Sequence, residues 1–268
     1  MLVFIIPLKS AQLSNSWDYV SRLFERTLSS VCAQTSSDFA VVVVCHELPE
    51  IQFSHSSVKY IQGDFPCPSP DSAGFMEKES DKNMKLSLGI EVSKEFSPSH
   101  IMFVDADDCV SNKLAAFVKT SLRVSNWLVD KGYEYDSNSK SYYEWKNNFH
   151  KKCGTCHILS AETAYDYNLK ILEDEVNHRS FAHQPLQRKL SRLGHHMSPL
   201  PFPGAVYITR HGENSWIPSD REYFRRQIEH GNMGYWDWPA FALKKVVKRI
   251  LSKPLNNAIL TEFSLTSI

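Results

Sequence analysis

The chain has 268 residues, with 30 Lys plus Arg balanced by 30 Asp plus Glu, 42% hydrophobic residues and 22% charged ones. That balance excludes an intrinsically disordered chain, which combines low hydrophobicity with high net charge. It also excludes a nucleic-acid-coating protein, which carries a basic excess, and no run of about 18 apolar residues offers a membrane-spanning helix.

The length suits one large α/β domain, or a domain with an appendage. Met1 to Pro7 (MLVFIIP) has no basic leader and no small-residue cleavage site, so it reads as a buried first strand rather than a signal peptide. On that reading a reducing cytoplasm is expected, with Cys32, Cys45, Cys67, Cys109, Cys153 and Cys156 as free thiols. Trp17 to Ala33 is predicted helical, because Val20, Leu23, Phe24, Thr27, Leu28 and Val31 recur at three and four. Phe39 to Cys45 (FAVVVVC) is a β-branched run of the kind found in parallel strands covered on both faces.

Val58 to Ile61 follows as a short strand, and residues 63–80, rich in Pro, Ser, Asp and Gly, read as a loop. Asp81 to Phe96 is predicted helical, with Met84, Leu88, Val92 and Phe96 at spacing four, and Ile101 to Val104 is another buried strand. Ser111 is placed to cap a helix running to about Asp130. Tyr133 to Trp145 suggests a hairpin, residues 161–195 are helical in pieces, and Ala205 to Thr209 reads as a strand. The alternation implies a doubly wound, mostly parallel sheet. Ligands in such sheets sit beyond the carboxyl ends of the strands, which directs attention to Pro7–Ser10, Cys45–Glu47 and Asp105–Asp108.

At the last of these places the chain reads IMFVDADD. Asp105 and Asp107, with Asp108 beside them, crowd negative charge at the end of a buried strand. Oxygen ligands so placed suit a hard divalent cation such as Mg or Mn, which can bridge a diphosphate. The same string nearly matches the hhhDxDxT nucleophile motif of haloacid-dehalogenase-like phosphohydrolases, with Cys109 at the Thr position. A third reading is a non-catalytic domain that binds a glycan or a partner.

The ordered combination of FIIPLKS, VVVVCHE, the helix carrying Lys82 and Lys85 before FVDADD, and VYITRHGENSW resembles the GT-A glycosyltransferases, close to their large family-2 group. The resemblance spans about residues 1–216. It implies a GT-A (Rossmann-like) α/β fold with a mostly parallel sheet flanked by helices, a donor half at about 1–110, an acceptor half at about 111–216, and a C-terminal helical extension over 217–268. It implies metal-dependent, inverting transfer from a nucleotide-diphosphate sugar, a UDP-sugar first, to a glycan, lipid-linked or other hydroxyl acceptor.

By that resemblance Pro7, Lys9, Glu47, Lys82, Lys85, Asp105 and Asp107 would bind the donor. Asp105, Asp107 and His211 would hold Mn or Mg. The general base would come from Glu173-Asp174-Glu175, with Asp174 ahead of Glu173 and His183 as an alternative. The Cys-Gly-Thr-Cys-His string at 153–157 matches haem attachment literally and could bind zinc with His150, but it resembles more the glycine-containing loop many transferases carry beside the acceptor. The usual acidic Gly-Ser turn after the second strand is replaced by Cys45-His46-Glu47, and the processive-synthase QxxRW signature is absent.

Trp236 to Lys253 (WDWPAFALKKVVKRILSK) is a separate signal, with Phe241, Leu243, Val246, Val247, Ile250 and Leu251 assigned to one helical face among five Lys and Arg. The simpler reading packs that face on the domain. The other lays it in an anionic membrane interface.

Overall fold

The computed structural model describes residues 1–70, 74–121, 126–174, 176–177, 179–214, 220–229 and 233–266. In chain order the elements are β1 (Leu2–Pro7), α1 (Trp17–Cys32), β2 (Phe39–Cys45), β3 (Val58–Gln62), α2 (Phe75–Ser93), β4 (His100–Phe103), β5 (Cys109–Val110) and α3 (Leu114–Thr120). Then come β6 (Asn126–Leu128), β7 (Gly132–Asp136), β8 (Ser141–Trp145), β9 (His157–Ser160), α4 (Ala161–Glu173) and α5 (His183–Arg192). The last part holds β10 (Ser198–Pro199), β11 (Ala205–Thr209), α6 (Asp220–Glu229), α7 (Trp238–Leu251), β12 (Lys253–Pro254) and α8 (Asn257–Phe263).

These elements build a Rossmann-like mixed α/β fold of two sheets flanked by helices. The larger sheet has the order β10-β6-β9-β4-β1-β2-β3. β3, β2, β1 and β4 run parallel, and β9 runs against both β4 and β6. The smaller sheet has the order β12-β8-β7-β11-β5, with β7 and β8 as the predicted hairpin and β11 parallel to β7.

The continuous apolar runs of β1 and β2 are explained by two cores. Alternate side chains point to opposite faces of a strand. Leu2, Phe4, Ile6, Val41 and Val43 meet Val20, Phe24, Leu28 and Val31 of α1 on one face. Val3, Ile5, Val42 and Val44 meet Leu86 and Ile90 of α2 and Ala164, Tyr167 and Ile171 of α4 on the other. Gly89 lets α2 approach β1, since a Cβ there would fall 2.4 Å from Ile5 Cγ2. α1 is N-capped by Ser16, whose hydroxyl accepts from the Tyr19 amide.

Two expectations need correction. α2 begins at Phe75, inside the segment read as a loop, because the turn-forming residues stop at Gly74 and FMEKES contains no breaker. The helix expected from Ser111 to about Asp130 ends at Thr120. Ser111 donates to Glu262 instead, and Trp127 and Leu128 pair with Ile158 and His157, so tertiary pairing overrides local pattern. The segment after 217 carries α6, α7 and α8; β12 pairs with β8, and Ile259 and Phe263 of α8 pack with Tyr142, Val206 and Ile208 of the smaller sheet.

Candidate active site

A cavity of about 760 Å³ opens beyond the carboxyl ends of β1 and β4. Pro7 and Lys9 line it from the segment after β1, and Asp105 and Asp107 from the turn after β4. Lys78, Asp81, Lys82 and Lys85 also line it. They recur at three and four along α2, which puts them on one helical face. Lys152 and Gly154 enter from the loop before β9, Arg179 and Ala182 from the segment leading into α5, and Tyr207, Glu213 and Asn214 from β11 and the turn after it.

The acidic turn is held from several sides. The Asp108 amide donates to Asp105 O at 3.1 Å, closing the turn. The Asp105 amide donates to Thr155 Oγ1 at 2.9 Å, and the Asp105 carboxylate pairs with Lys82 Nζ at 2.5 Å. Asp107 Oδ2 accepts from Asn214 Nδ2 at 3.3 Å and lies 3.0 Å from His211 Nε2. The imidazole is fully buried, and its Nε2 makes no directed hydrogen bond despite that proximity. Burial raises the Asp107 carboxyl, but His211, Lys82 and Arg26 outweigh it and hold the group below the usual carboxylate range. Burial disfavours the Lys82 charge, yet Asp105, with Glu79 and Asp107, more than offsets that and raises its pKa.

Asp108 plays a different part. It is buried and accepts from Thr155 Oγ1 at 2.6 Å, Cys153 Sγ at 3.1 Å and the Ile208 amide at 3.2 Å. It thereby ties the turn to the 153–156 loop and to β11. Burial and the neighbouring Asp107 and Asp105 push its pKa well up, with the Thr155 and Cys153 bonds opposing.

The other expected residues divide. Lys9 Nζ pairs with Glu213 Oε2 at 2.7 Å, and the Glu213 carboxylate also accepts the Asn15 and Ser16 amides, joining the turn after β11 to the start of α1. Lys85 Nζ is committed to Asp81 Oδ2 at 2.6 Å, and Asp81 Oδ1 lies 2.6 Å from His46 Nε2. Glu47 does not line the cavity; its carboxylate accepts the Ala11 amide at 3.2 Å and supports the segment after β1. Glu173 and Asp174 are exposed at the end of α4 and do not line the cavity either. Glu175 and the His183 side chain lie outside the described residues.

Sequence reasoning missed Glu213 and Asn214, although they adjoin His211 in the same segment. It also missed Lys152 and Arg179, single cations in loops without periodic signal. Lys78, Lys152 and Arg179 line the cavity and form no ion pair with a described carboxylate. The cavity thus offers cations not committed to its own acids. For Lys152 burial lowers the pKa, Glu134 opposes it, and Lys248 and Lys245 add to the lowering.

Among the described residues no group of three or more His, Cys, Asp and Glu side chains is placed to hold a metal. Asp107 with the buried, undirected His211 Nε2 forms a two-donor pair. Mg is commonly held by one or two carboxylates together with substrate phosphate oxygens, and this pair fits such a mode.

Gly154 touches the acid pair directly: a Cβ there would lie 2.5 Å from Asp105 Oδ2. Gly154→Ala is expected to push that carboxylate off Lys82 while leaving the fold intact, since only the end of a side chain must move. Its Tm should stay within a few degrees of the parent in a thermal melt, and a large fall would show that the loop backbone has to move as well.

The CxxCH thiols are buried, with Cys153 on Asp108 and Cys156 Sγ 3.3 Å from His157 Nδ1. Burial pushes Cys153 and Cys156 well above the ordinary thiol range, and pushes Cys45 and Cys109 up to about 11. Unfolded thiols ionise near 8.5, so this contribution to stability is complete below that pH and is lost as pH rises toward about 11. For Cys109 the loss is on the order of 1–2 kcal/mol at about pH 10. Urea midpoints should fall between about pH 7.5 and 10, and iodoacetamide at about pH 8 should leave Cys45, Cys109, Cys153 and Cys156 unmodified in the native protein.

No protein-family model and no curated protein sequence matches the chain. Among solved structures, the crystal structure of S. aureus TarS matches over 78% of this chain with a TM-score of 0.41 and 9% sequence identity. The match takes in 36% of the TarS chain, so this protein spans about a third of that length.

Proposed function

We propose that the protein is a glycosyltransferase that moves a sugar from a nucleoside-diphosphate sugar, a UDP-sugar in the first instance, to a hydroxyl of a glycan or lipid-linked acceptor with inversion. One observation carries the reading. An acid pair at the carboxyl end of β4 shares a cavity with Lys78, Lys82, Lys152 and Arg179. A diphosphate leaving group gains negative charge in the transition state, and fixed cations aimed at it lower the barrier. Pro7 and Lys9 would flank the nucleotide from the segment after β1.

Asp107 and His211 would hold Mn or Mg, with Asp105 beside them. Bound there, the cation would supply Lewis-acid stabilisation of the diphosphate charge. A general base must come within hydrogen-bond reach of the acceptor hydroxyl. Asp174, then Glu173, is the base on this reading, with an acceptor that extends beyond the cavity to the end of α4. Unchanged turnover in Asp174→Asn would remove it from the mechanism.

The testing experiment is a thermal-shift panel of nucleoside diphosphates and their sugars, with and without Mn. Ligand binding to the native state raises Tm by mass action. The reading expects stabilisation that needs both the metal and a nucleoside diphosphate. Stabilisation by neither, alone or together, would overturn it.

A further inference from the structure

α7 turns an apolar face away from the protein. At 100° per residue, Leu243, Val246, Val247, Ile250 and Leu251 fall on one side of the helix. All five are exposed, Leu243 at 62% and Ile250 at 74%. Phe241 was expected on this face but lies on the opposite one. It is buried, stacked on Tyr223 at 5.7 Å and against Phe224 and Trp238. From the same inner side Lys248 Nζ reaches Glu134 at 2.5 Å, next to the rings of Tyr143 and Trp145. The helix is therefore seated by Phe241 and Lys248, and the expectation that its whole apolar face packs inward fails.

The outward face is framed by charge. Lys244 borders it on one side and Arg249 on the other, both exposed, with Lys253 just beyond its end. Trp236, 94% exposed, and Tyr235 stand immediately before the helix. No described acid follows Asp237 until Glu262. Contiguous exposed apolar surface marks an interaction site. An apolar strip edged by cations and led by exposed aromatics complements a surface that is apolar inside and anionic at its rim.

We propose that α7 docks the protein on an anionic lipid surface, with Leu243, Val246 and Ile250 entering the acyl boundary and Lys244, Arg249 and Lys253 meeting headgroup charge. The inner side of α7, opposite the docked face, lies beside the cavity wall, because Lys152 of that wall sits over the same Trp145 ring that Lys248 approaches. Docking does not depend on what the cavity binds.

The test is co-sedimentation of the full chain with vesicles of phosphatidylcholine containing about 30% phosphatidylglycerol, compared with phosphatidylcholine alone. The protein is expected on the anionic vesicles, with binding weakened at about 0.5 M salt. A Leu243→Glu/Ile250→Glu variant should lose more than about tenfold of that binding. Both side chains are exposed, so its melting should match the parent. Equal binding to neutral and anionic vesicles, or full binding by the variant, would overturn the proposal. So would a concentration-dependent dimer, abolished in the variant, without vesicle binding, since the face would then belong to a second copy of the chain.

Discussion

Replacing Asp107 with asparagine is expected to lower sugar transfer by at least about a hundredfold and to abolish Mn-dependent stabilisation by a nucleoside diphosphate. Asparagine keeps the shape of the side chain but removes its charge. That charge is what the fold maintains: His211, Lys82 and Arg26 hold the carboxyl ionised against its burial. The protein should stay folded, because Arg26 reaches the Asp107 carbonyl rather than its side chain, and Asn214 also donates to Ile208 O. Melting within a few degrees of the parent, combined with lost metal response, separates a ligand role from a structural one. A variant retaining full turnover and full Mn response would exclude Asp107 as a metal ligand.

The second large effect is on stability. Lys85→Met is expected to destabilise the fold by about 3–5 kcal/mol, because it strands a buried carboxylate. Lys85 is 1% exposed and its partner Asp81 5%, and without the ammonium Asp81 keeps only His46. For a chain of this size the loss corresponds to a fall in Tm of roughly 10 °C. Adding Asp81→Asn to Lys85→Met should recover part of it, since a neutral amide is less costly to bury than an unpaired carboxylate. Additive losses in the double-mutant cycle would show the pair to be uncoupled. The pair also fixes the face of α2 that carries Lys78 and Lys82, and Lys85, read from sequence as a donor contact, lines the cavity with them.

What could be read in the sequence follows from where burial writes itself locally. β2 and β11 match their expected bounds, because apolar and β-branched runs in the interior carry their own signal. α1 was legible from the three-and-four recurrence of its buried side chains. β6 was not, since three residues pair with a strand some 30 positions away. The smaller sheet depends on the parallel joining of β7 to β11 across some 70 residues, and two-residue strands close its edges.

The site divides in the same way. Asp105, Asp107, Lys82 and His211 sit in motifs whose order along the chain could be recognised, and the fold brings them together. Glu47 stands at the expected strand end, but its carboxylate is taken up by the Ala11 amide. Arg179 and Lys152 become visible only once α4, α5 and β9 have been folded around the cavity.

The reversed direction of β9 has a consequence for how this site can vary. Its neighbours leave the sheet at the cavity, whereas β9 enters there. The segment before it, Cys153 to Cys156, therefore supplies Gly154 against Asp105 and Thr155 beneath Asp108. Between the β7–β8 hairpin and that segment runs a 3-10 turn over Phe149–Lys151, whose Phe149 is buried in the core and whose His150 Nδ1 lies 2.8 Å from Asp130 Oδ1. Asn148 and Phe149 also donate their amides to Asp130, so residues could be added or removed only ahead of that anchor, at the exposed Lys146 and Asn147. The β1 and β4 side of the cavity is built on central parallel strands, while the opposite wall hangs from a loop anchored at Phe149 and Asp130, tolerant of a change in length ahead of that anchor and not behind it.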